Sequence, residues 1–444
     1  MRALHVRRLV AALAVAATVL AGLAFHESAS AATRVMPRSF TGYAFDACQA
    51  PAQDAMDVWR DQSPYWGVGI YTSGVNRYCD VQVNLSADWV AQQDQKGWRL
   101  FPIHVGLQAS CSHPEKTWER IDPNPADGYA AARAQGVAQA DEAVAAAQSY
   151  GIGRQSTLWY DLEAFDISNT DCRESALSLV SAWTDRLHEL GYDSGYYSSA
   201  ASGIKMLDDA RQNPASTYSL PDRIWIAHYV HRDECELRWG TTTTEYISDD
   251  GWQQKRMRQF CGTHTESYGG VSISIDSNYM DFGRGSVPPR QAGHCNVTVD
   301  FARYPGLSRG DRGDKVKAAQ CFLRQKGFYG GRIHGRYHRG TAKAVKRLQR
   351  SESTLGVTGA LNHKSWTALL ARGSDPLLKY GSRSNAVRRL QRALNARDGA
   401  RLDVTGVFER STQGAVKDYQ QGRGLTRTGV VTAEVWDLLQ QGRR

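Results

Sequence analysis

The sequence predicts an α/β protein, a (β/α)8 TIM-like barrel followed by two small all-α three-helix domains. Three observations predict it. Eight short apolar or alternating runs recur at fairly even spacing, helical stretches lie between several of them, and the last part of the chain repeats itself. At 444 residues and 41% hydrophobic content, the chain is also longer than the ~100 to 200 residues of a usual single domain.

The first 31 residues read as a secretory signal. Arg2, Arg7 and Arg8 precede an uncharged run from Leu9 to Phe25, and Ala29-Ser30-Ala31 supplies a small-x-small cleavage site. The run is shorter than the ~20 residues a membrane span wants, so cleavage is expected rather than an anchor. The general secretory route is expected over a twin-arginine route, because nothing around Arg7-Arg8 strengthens the latter.

Residues 32–284 form the expected barrel. Its strand candidates are SFTGYAFD, YWGVGIYTS, WRLFPIHVGL, STLWYDLEAF, DSGYYSS, RIWIAHYV, MRQFCGTH and VSISIDSNYMDF. Helical stretches from Asp127 to Ser149 and from Glu174 to Leu190 alternate with them, which predicts parallel strands. The stretch after Arg232 has no obvious helix, so a distorted barrel is expected. Residues 285–302 form a linker, and the Pro/Gly-rich stretch RGSVPPRQAGH from Arg284 to His294 sets the boundary.

Residues 303–373 and 374–442 are the two repeats. A shift of 71 positions lays Gly310, Val316, Gln320, Leu323, Gly335, Tyr337, Thr341, Val345 and Gln349 on Gly381, Val387, Gln391, Leu394, Gly406, Phe408, Thr412, Val416 and Gln420. Val316, Ala319 and Leu323 recur at helical spacing, as do Thr341, Val345 and Leu348, and Trp366, Leu369 and Leu370 close a three-helix bundle. The formal charge of +9 divides unevenly: the part from Arg303 onward carries about +19 and the part before it about −10. A basic segment can bind nucleic acid, anionic lipid or an anionic wall polymer, and export removes cytoplasmic nucleic acid from that list.

Eight cysteines in an exported chain predict four disulfides. Sequential pairing, Cys48 with Cys79, Cys111 with Cys172, Cys235 with Cys261 and Cys295 with Cys321, closes only local loops and is the expected arrangement. No metal site is expected: there is no CxxC or HExxH, and His334 and His338 sit in a Gly-rich turn region.

In such a barrel the active site forms where the parallel strands end. Asp46 ends the first strand candidate, Asp161 and Glu163 the fourth, and Asp276 the eighth. Side chains alternate along a strand, so Trp159, Asp161 and Glu163 share a face, as do Ala44 and Asp46, and Ser274 and Asp276. Converging carboxylates suit glycoside hydrolysis, because crowding keeps a proton on one member while an ionised neighbour handles positive charge at the sugar. Tyr196, Tyr197 and Trp225, near strand ends, are the expected sugar-stacking residues.

The two repeats, with GDRGDKVKAAQCFL and GSRSNAVRRLQRAL opening them, resemble the helical peptidoglycan-binding domain of bacterial cell-wall enzymes. Residues 40 to 284, with GYAFDACQAP, WYDLEAF, IWIAHYV and GGVSISIDSNYMDF, resemble a secreted actinobacterial family with a glycoside-hydrolase-like barrel. More distantly, the order of Asp46, the Asp161-x-Glu163 pair, WIA and Asp276 is similar to family 25 glycoside hydrolases, the muramidase lysozymes. That resemblance implies Glu163 as general acid and Asp161 as the residue orienting a 2-acetamido group that acts as internal nucleophile. It also implies that Asp46 and Asp276 hold the sugar and tune the pair.

The expectation is therefore a secreted or wall-associated monomer without cofactor, metal, nucleic-acid partner or membrane insertion, cleaving peptidoglycan or a related wall glycan. The alternative is a non-catalytic wall- or carbohydrate-binding protein on a hydrolase-like barrel.

Overall fold

The computed structural model describes residues 32–35, 39–229, 235, 240–241, 245–283 and 295–443. The expected signal segment and residues 284–294 of the linker region lie outside them. Among the described residues no helix is long and apolar enough to cross a membrane.

Strands β1 (Thr41–Asp46), β2 (Tyr65–Ser73), β3 (Arg99–His104), β4 (Thr157–Asp161), β5 (Asp193–Ser199), β6 (Arg223–Ala227), β7 (Arg256–Tyr268) and β8 (Val271–Asp281) close in chain order into a barrel. Helices α1 (Gln53–Gln62), α2 (Ala87–Gln95), α3 (Ala130–Ser149), α4 (Thr170–Leu190) and α5 (Lys205–Gln212) lie between the first six strands. The Ala-rich α3 follows from helix propensity. The start of α4 is fixed by Asn169, whose side chain accepts from the Cys172 N–H, and its end by Gly191 in a left-handed conformation. Among the described residues no helix lies between β6 and β7.

One expectation is corrected. The barrel is not wholly parallel: β8 runs antiparallel to both β7 and β1. Only Gly269 and Gly270 separate β7 from β8, both at positive φ, and two residues can close a hairpin but not the dozen-residue crossover a parallel pair needs. Asp276 consequently lies in the middle of β8 rather than at its end, directly opposite Asp46 in the ladder.

Side chains fill the barrel interior. Ala44, Phe101, Ile103, Trp159, Tyr197, Trp225, Met257 and Met280 form one buried cluster. Residues of opposite parity, such as Phe45, Tyr160 and Tyr196, pack outward with Trp59 and Trp183 of the helices. Gly195 in β5 is required by this packing, since a Cβ there would stand 2.5 Å from the Trp159 ring. Gly195→Ala is expected to cost about 1 to 3 kcal/mol through overpacking, read from chemical denaturation midpoints.

The structure joins Cys48 to Cys79, Cys111 to Cys172, Cys235 to Cys261 and Cys295 to Cys321.

Two three-helix units follow the barrel: α6 (Asp314–Gln325), α7 (Arg339–Arg350) and α8 (His363–Ala371), then α9 (Asn385–Asp398), α10 (Arg410–Gly422) and α11 (Ala433–Gln440). The repeated glutamines explain themselves. Buried Gln320 donates to the Arg336 carbonyl and Thr341 hydroxyl and accepts from the His334 and Gly335 N–H groups. Gln391 does the same with Val407, Thr412 and Gly406. Each glutamine stitches a loop to its helix where a small core needs buried polar groups satisfied. The indoles of Trp366 and Trp436 likewise donate to the carbonyls of Pro305 and Pro376.

The second unit is docked on the barrel. The Lys379 side-chain nitrogen is fully buried and donates to the carbonyls of Arg60 at 2.7 Å, Ser63 at 3.2 Å and Tyr65, with the Trp66 ring 4.4 Å from it, and burial pushes its pKa well below the usual lysine range. The Trp66 indole donates to the Tyr380 carbonyl, and the Tyr279 and Tyr380 hydroxyls meet at 3.0 Å. Gly381 fits only because it has no Cβ, which would lie 2.3 Å from the Thr41 carbonyl. Thr41 and Tyr65 begin their strands, so this contact is at the pole opposite the strand ends that carry Asp46 and Asp161.

Candidate active site

The ends of the parallel strands open into a cleft of about 1010 Å³ lined by Asp46, Asp161, Glu163 and Asp276 together. Strand parity brings them there. Ala44 and Trp159 point into the barrel, and two residues further along each strand Asp46 and Asp161 point the same way at its mouth. Glu163 follows two residues after β4, and Asp276 arrives from β8.

The end of β4 is held by Gln108. Its side chain donates to the Asp161 carbonyl at 2.8 Å and accepts from the Glu163 N–H at 2.8 Å, while the Tyr160 hydroxyl donates to the Leu107 carbonyl. The Asp-x-Glu segment is therefore positioned by backbone contacts that leave both carboxyl groups to the cleft.

Asp46 is 2% exposed and accepts from the Tyr71 hydroxyl at 2.9 Å, the Asn278 amide at 2.7 Å and the Gln259 amide at 3.4 Å. Burial and then the charge of Asp276 nevertheless push its pKa up to about 8, against those three donors. Gln259 also donates to Asp276 at 3.1 Å, so one amide bridges the two acids. The Asp161 carboxyl is held well above the usual carboxylate range by burial, then by Glu163, Asp46 and Asp276, and its Oδ1 is buried without a hydrogen-bond partner. Burial raises Glu163 too, against the nearby His113, and raises Asp276 against Thr263 and His264. Four crowded acids thus keep protons that isolated ones would have released.

This crowding sets the pH dependence of stability. Carboxyl groups whose folded pKa lies above the unfolded value stabilise the fold below the unfolded pKa, and that contribution is lost as pH rises toward and through about 8 for Asp46. The slope reaches at most about 1.4 kcal/mol per pH unit for each proton released. Asp161→Asn removes one member and is expected to raise Tm at alkaline pH and flatten its fall between about pH 5 and 8. Thermal unfolding across that range checks it, and a curve parallel to wild type would contradict it.

The expected stacking residues lie elsewhere. Tyr196 is buried outside the barrel wall, and its ring faces the helices. Tyr197 and Trp225 are buried in the barrel interior, donating to Gln259 at 2.8 Å and to Asn278 at 2.7 Å respectively. None of the three lines the cleft. Tyr197 and Trp225 instead orient the two amides that hold Asp46. The aromatic side chains that do line the cleft are Tyr71, Tyr78 and Trp118, and Tyr78 is 97% exposed. Tyr71 was visible as a strand aromatic, whereas Tyr78 and Trp118 sit in loops with no periodic signal.

Among the described residues one cluster has metal-ligating atoms in reach of each other, Cys235, Cys261 and His264, but its two cysteines are joined to each other.

The chain is similar to known proteins in both parts. A family model described as Rv2525c-like, glycoside hydrolase-like domain matches residues 57–280, and one described as putative peptidoglycan binding domain matches residues 312–369 and 383–439. Among solved structures the barrel is similar to an uncharacterized protein of B. stearothermophilus, at 16% identity over 54% of this chain and 95% of that one, with a TM-score of 0.35. The Tat-secreted protein Rv2525c of Mycobacterium tuberculosis matches at 10% identity over 55% and 96%, TM-score 0.35. A family 25 glycosyl hydrolase from Bacillus anthracis matches at 13% over 56% and 94%, TM-score 0.33. No curated protein matches the chain. With its barrel matched over half of the whole sequence, the chain belongs to the Rv2525c-like, glycoside hydrolase-like family and carries two peptidoglycan-binding domains behind that barrel.

Proposed function

We propose that the protein is an exported glycoside hydrolase that cleaves peptidoglycan or a related wall glycan, with Glu163 as general acid. The observation that carries this reading is the convergence of Asp46, Asp161, Glu163 and Asp276 on one cleft, with proton affinities raised by burial and mutual repulsion. A general acid must hold its proton near neutral pH and reach the leaving oxygen. Glu163 is the partly exposed member of the Asp-x-Glu pair, and Asp161 is the buried one.

The Glu163 carboxyl gives its proton to the glycosidic oxygen as the C1–O bond breaks, and the carbonyl oxygen of the sugar's own 2-acetamido group bonds to C1. Asp161, on the cleft floor, orients that group. Water then attacks C1, giving its proton to the Glu163 carboxylate, and the C1 bond to the acetamido oxygen breaks. Asp46 and Asp276, bridged by Gln259, shape the sugar's seat. The peptidoglycan-binding domains supply wall targeting, and their positive charge suits an anionic wall.

Release of reducing ends from purified walls tests the reading. Wild type should release them and Glu163→Gln should not. Equal rates in the two would overturn it, and wall binding by wild type without any product would instead fit a barrel that holds sugar uncut.

A further inference from the structure

The first repeat carries a basic pocket between its Tyr329 loop and the start of α7. It measures about 430 Å³ and is bounded by Arg332, His334, His338, Lys343 and Arg347 beside the Tyr329 loop, with no acidic side chain in its lining. Arg332, Lys343 and Arg347 bring three positive charges to one small exposed depression.

The two histidines define its chemistry further. His338 caps α7, its Nδ1 accepting from the N–H groups of Gly340 at 3.0 Å and Thr341 at 3.3 Å. The Nδ1 of His334 accepts from the Arg336 N–H at 3.1 Å. A neutral imidazole whose Nδ1 accepts must carry its proton on Nε2. Both rings therefore present Nε2–H, and these two nitrogens converge at 2.8 Å. Two converging donors are mutually unfavourable by themselves and are satisfied by an anionic oxygen that accepts from both. A metal ion would need the opposite tautomer, with bare Nε2 atoms.

The duplication supplies an internal control. On the 71-residue offset, Arg332, His334, His338, Lys343 and Arg347 correspond to Asp403, Thr405, Glu409, Gly414 and Asp418. The scaffold is shared, down to the buried glutamines Gln320 and Gln391, yet three cationic or donor positions have become acids and the other two have lost charge or ring. Fold maintenance does not need the basic set, since the second repeat folds without it.

We propose that this pocket of the first repeat binds a phosphate-type oxyanion, as found in phosphodiester wall polymers. Three cations and two N–H donors exceed what one carboxylate can use, whereas a tetrahedral phosphate offers acceptors in several directions. The N-terminus of the 12-residue α7 adds a favourable field for the anion. Only the polymeric source of the phosphate rests on the wall-targeting reading. Binding is measured apart from cleavage, so a barrel that cuts nothing leaves the result unchanged.

The test is calorimetric titration of the full chain with inorganic phosphate, oligomeric glycerol phosphate and acetate at low salt. Saturable phosphate binding is expected, at least tenfold tighter than acetate. It should weaken at least tenfold in Lys343→Gln/Arg347→Gln, whose positions are exposed on α7, and in His338→Asn, which keeps a capping oxygen but removes the Nε2 donor. The Asp418→Asn control in the second repeat should be unchanged. Oligomer binding tighter than inorganic phosphate assigns the polymer as source; equal affinity assigns free phosphate. No phosphate binding, acetate binding as tight as phosphate, or unchanged affinity in the Lys343/Arg347 variant would overturn the proposal.

Discussion

Glu163→Gln is expected to lower glycan cleavage by about 10²- to 10⁴-fold, the contribution general acid catalysis commonly makes. Glutamine keeps the size of the side chain and cannot deliver the proton that the leaving oxygen needs. The loss should fall on kcat with KM little changed, because the proton transfer matters at the transition state rather than in binding. The Glu163 N–H to Gln108 contact is made by the backbone, so the substitution leaves the positioning of the segment intact. Removing a group whose pKa burial has raised should also leave the fold as stable or more so at neutral pH. A large fall in rate with unchanged or higher Tm separates a chemical role from a structural one. Initial rates of reducing-end release, with Tm measured on the same preparations, check both halves.

The second large effect is expected at the other pole of the barrel. Lys379→Met retains much of the side chain's volume and removes the nitrogen that contacts the Arg60, Ser63 and Tyr65 carbonyls. A buried acceptor left without a partner costs about 1 to 3 kcal/mol, so the contact should lose on the order of 3 kcal/mol, offset in part by relief of the burial that disfavours the charged lysine. The cheapest response is for the second repeat to leave the barrel, since its own core of Val387, Leu394, Val416 and Trp436 does not depend on Lys379. Small-angle scattering should then show a larger radius of gyration, and proteases should cut more readily before the repeats. Unchanged scattering together with unchanged stability would show that Lys379 does not hold the two parts together. The docking also changes how the wall-binding domains act. A freely tethered pair would raise local concentration in every orientation. A docked pair fixes the cleft on the side of the barrel away from the second repeat.

Much of this was legible in the residues because the signals were local. The spacing of eight apolar runs and the alternation of Trp159, Asp161 and Glu163 required only period-two geometry, and the duplication required only identities in order. The direction of β8 was written in the Gly269-Gly270 turn between two alternating runs, a hairpin signal outweighed by the strand–helix alternation before it. The aromatic assignments failed for a different reason. Tyr196 and Tyr197 are neighbours in a strand buried on both faces, so burial alone cannot tell which ring enters the barrel. Neither turned out to reach the cleft. The amides Gln259 and Asn278 and the lysine Lys379 carry no sequence signal at all. Their partners lie far away in the chain, 232 residues in the case of Asn278 and Asp46 and more than 300 for Lys379 and Tyr65, and only the closed barrel brings them together.

Whether the carboxylate cleft breaks glycosidic bonds in wall glycan is read from mass spectrometry of purified peptidoglycan after incubation with the full chain. New fragments that differ from intact strands by hydrolysis at a glycosidic bond are expected, formed by wild type and absent with Glu163→Gln. Glycan that is bound yet unchanged in mass after long incubation, or fragments formed equally by both proteins, would contradict it.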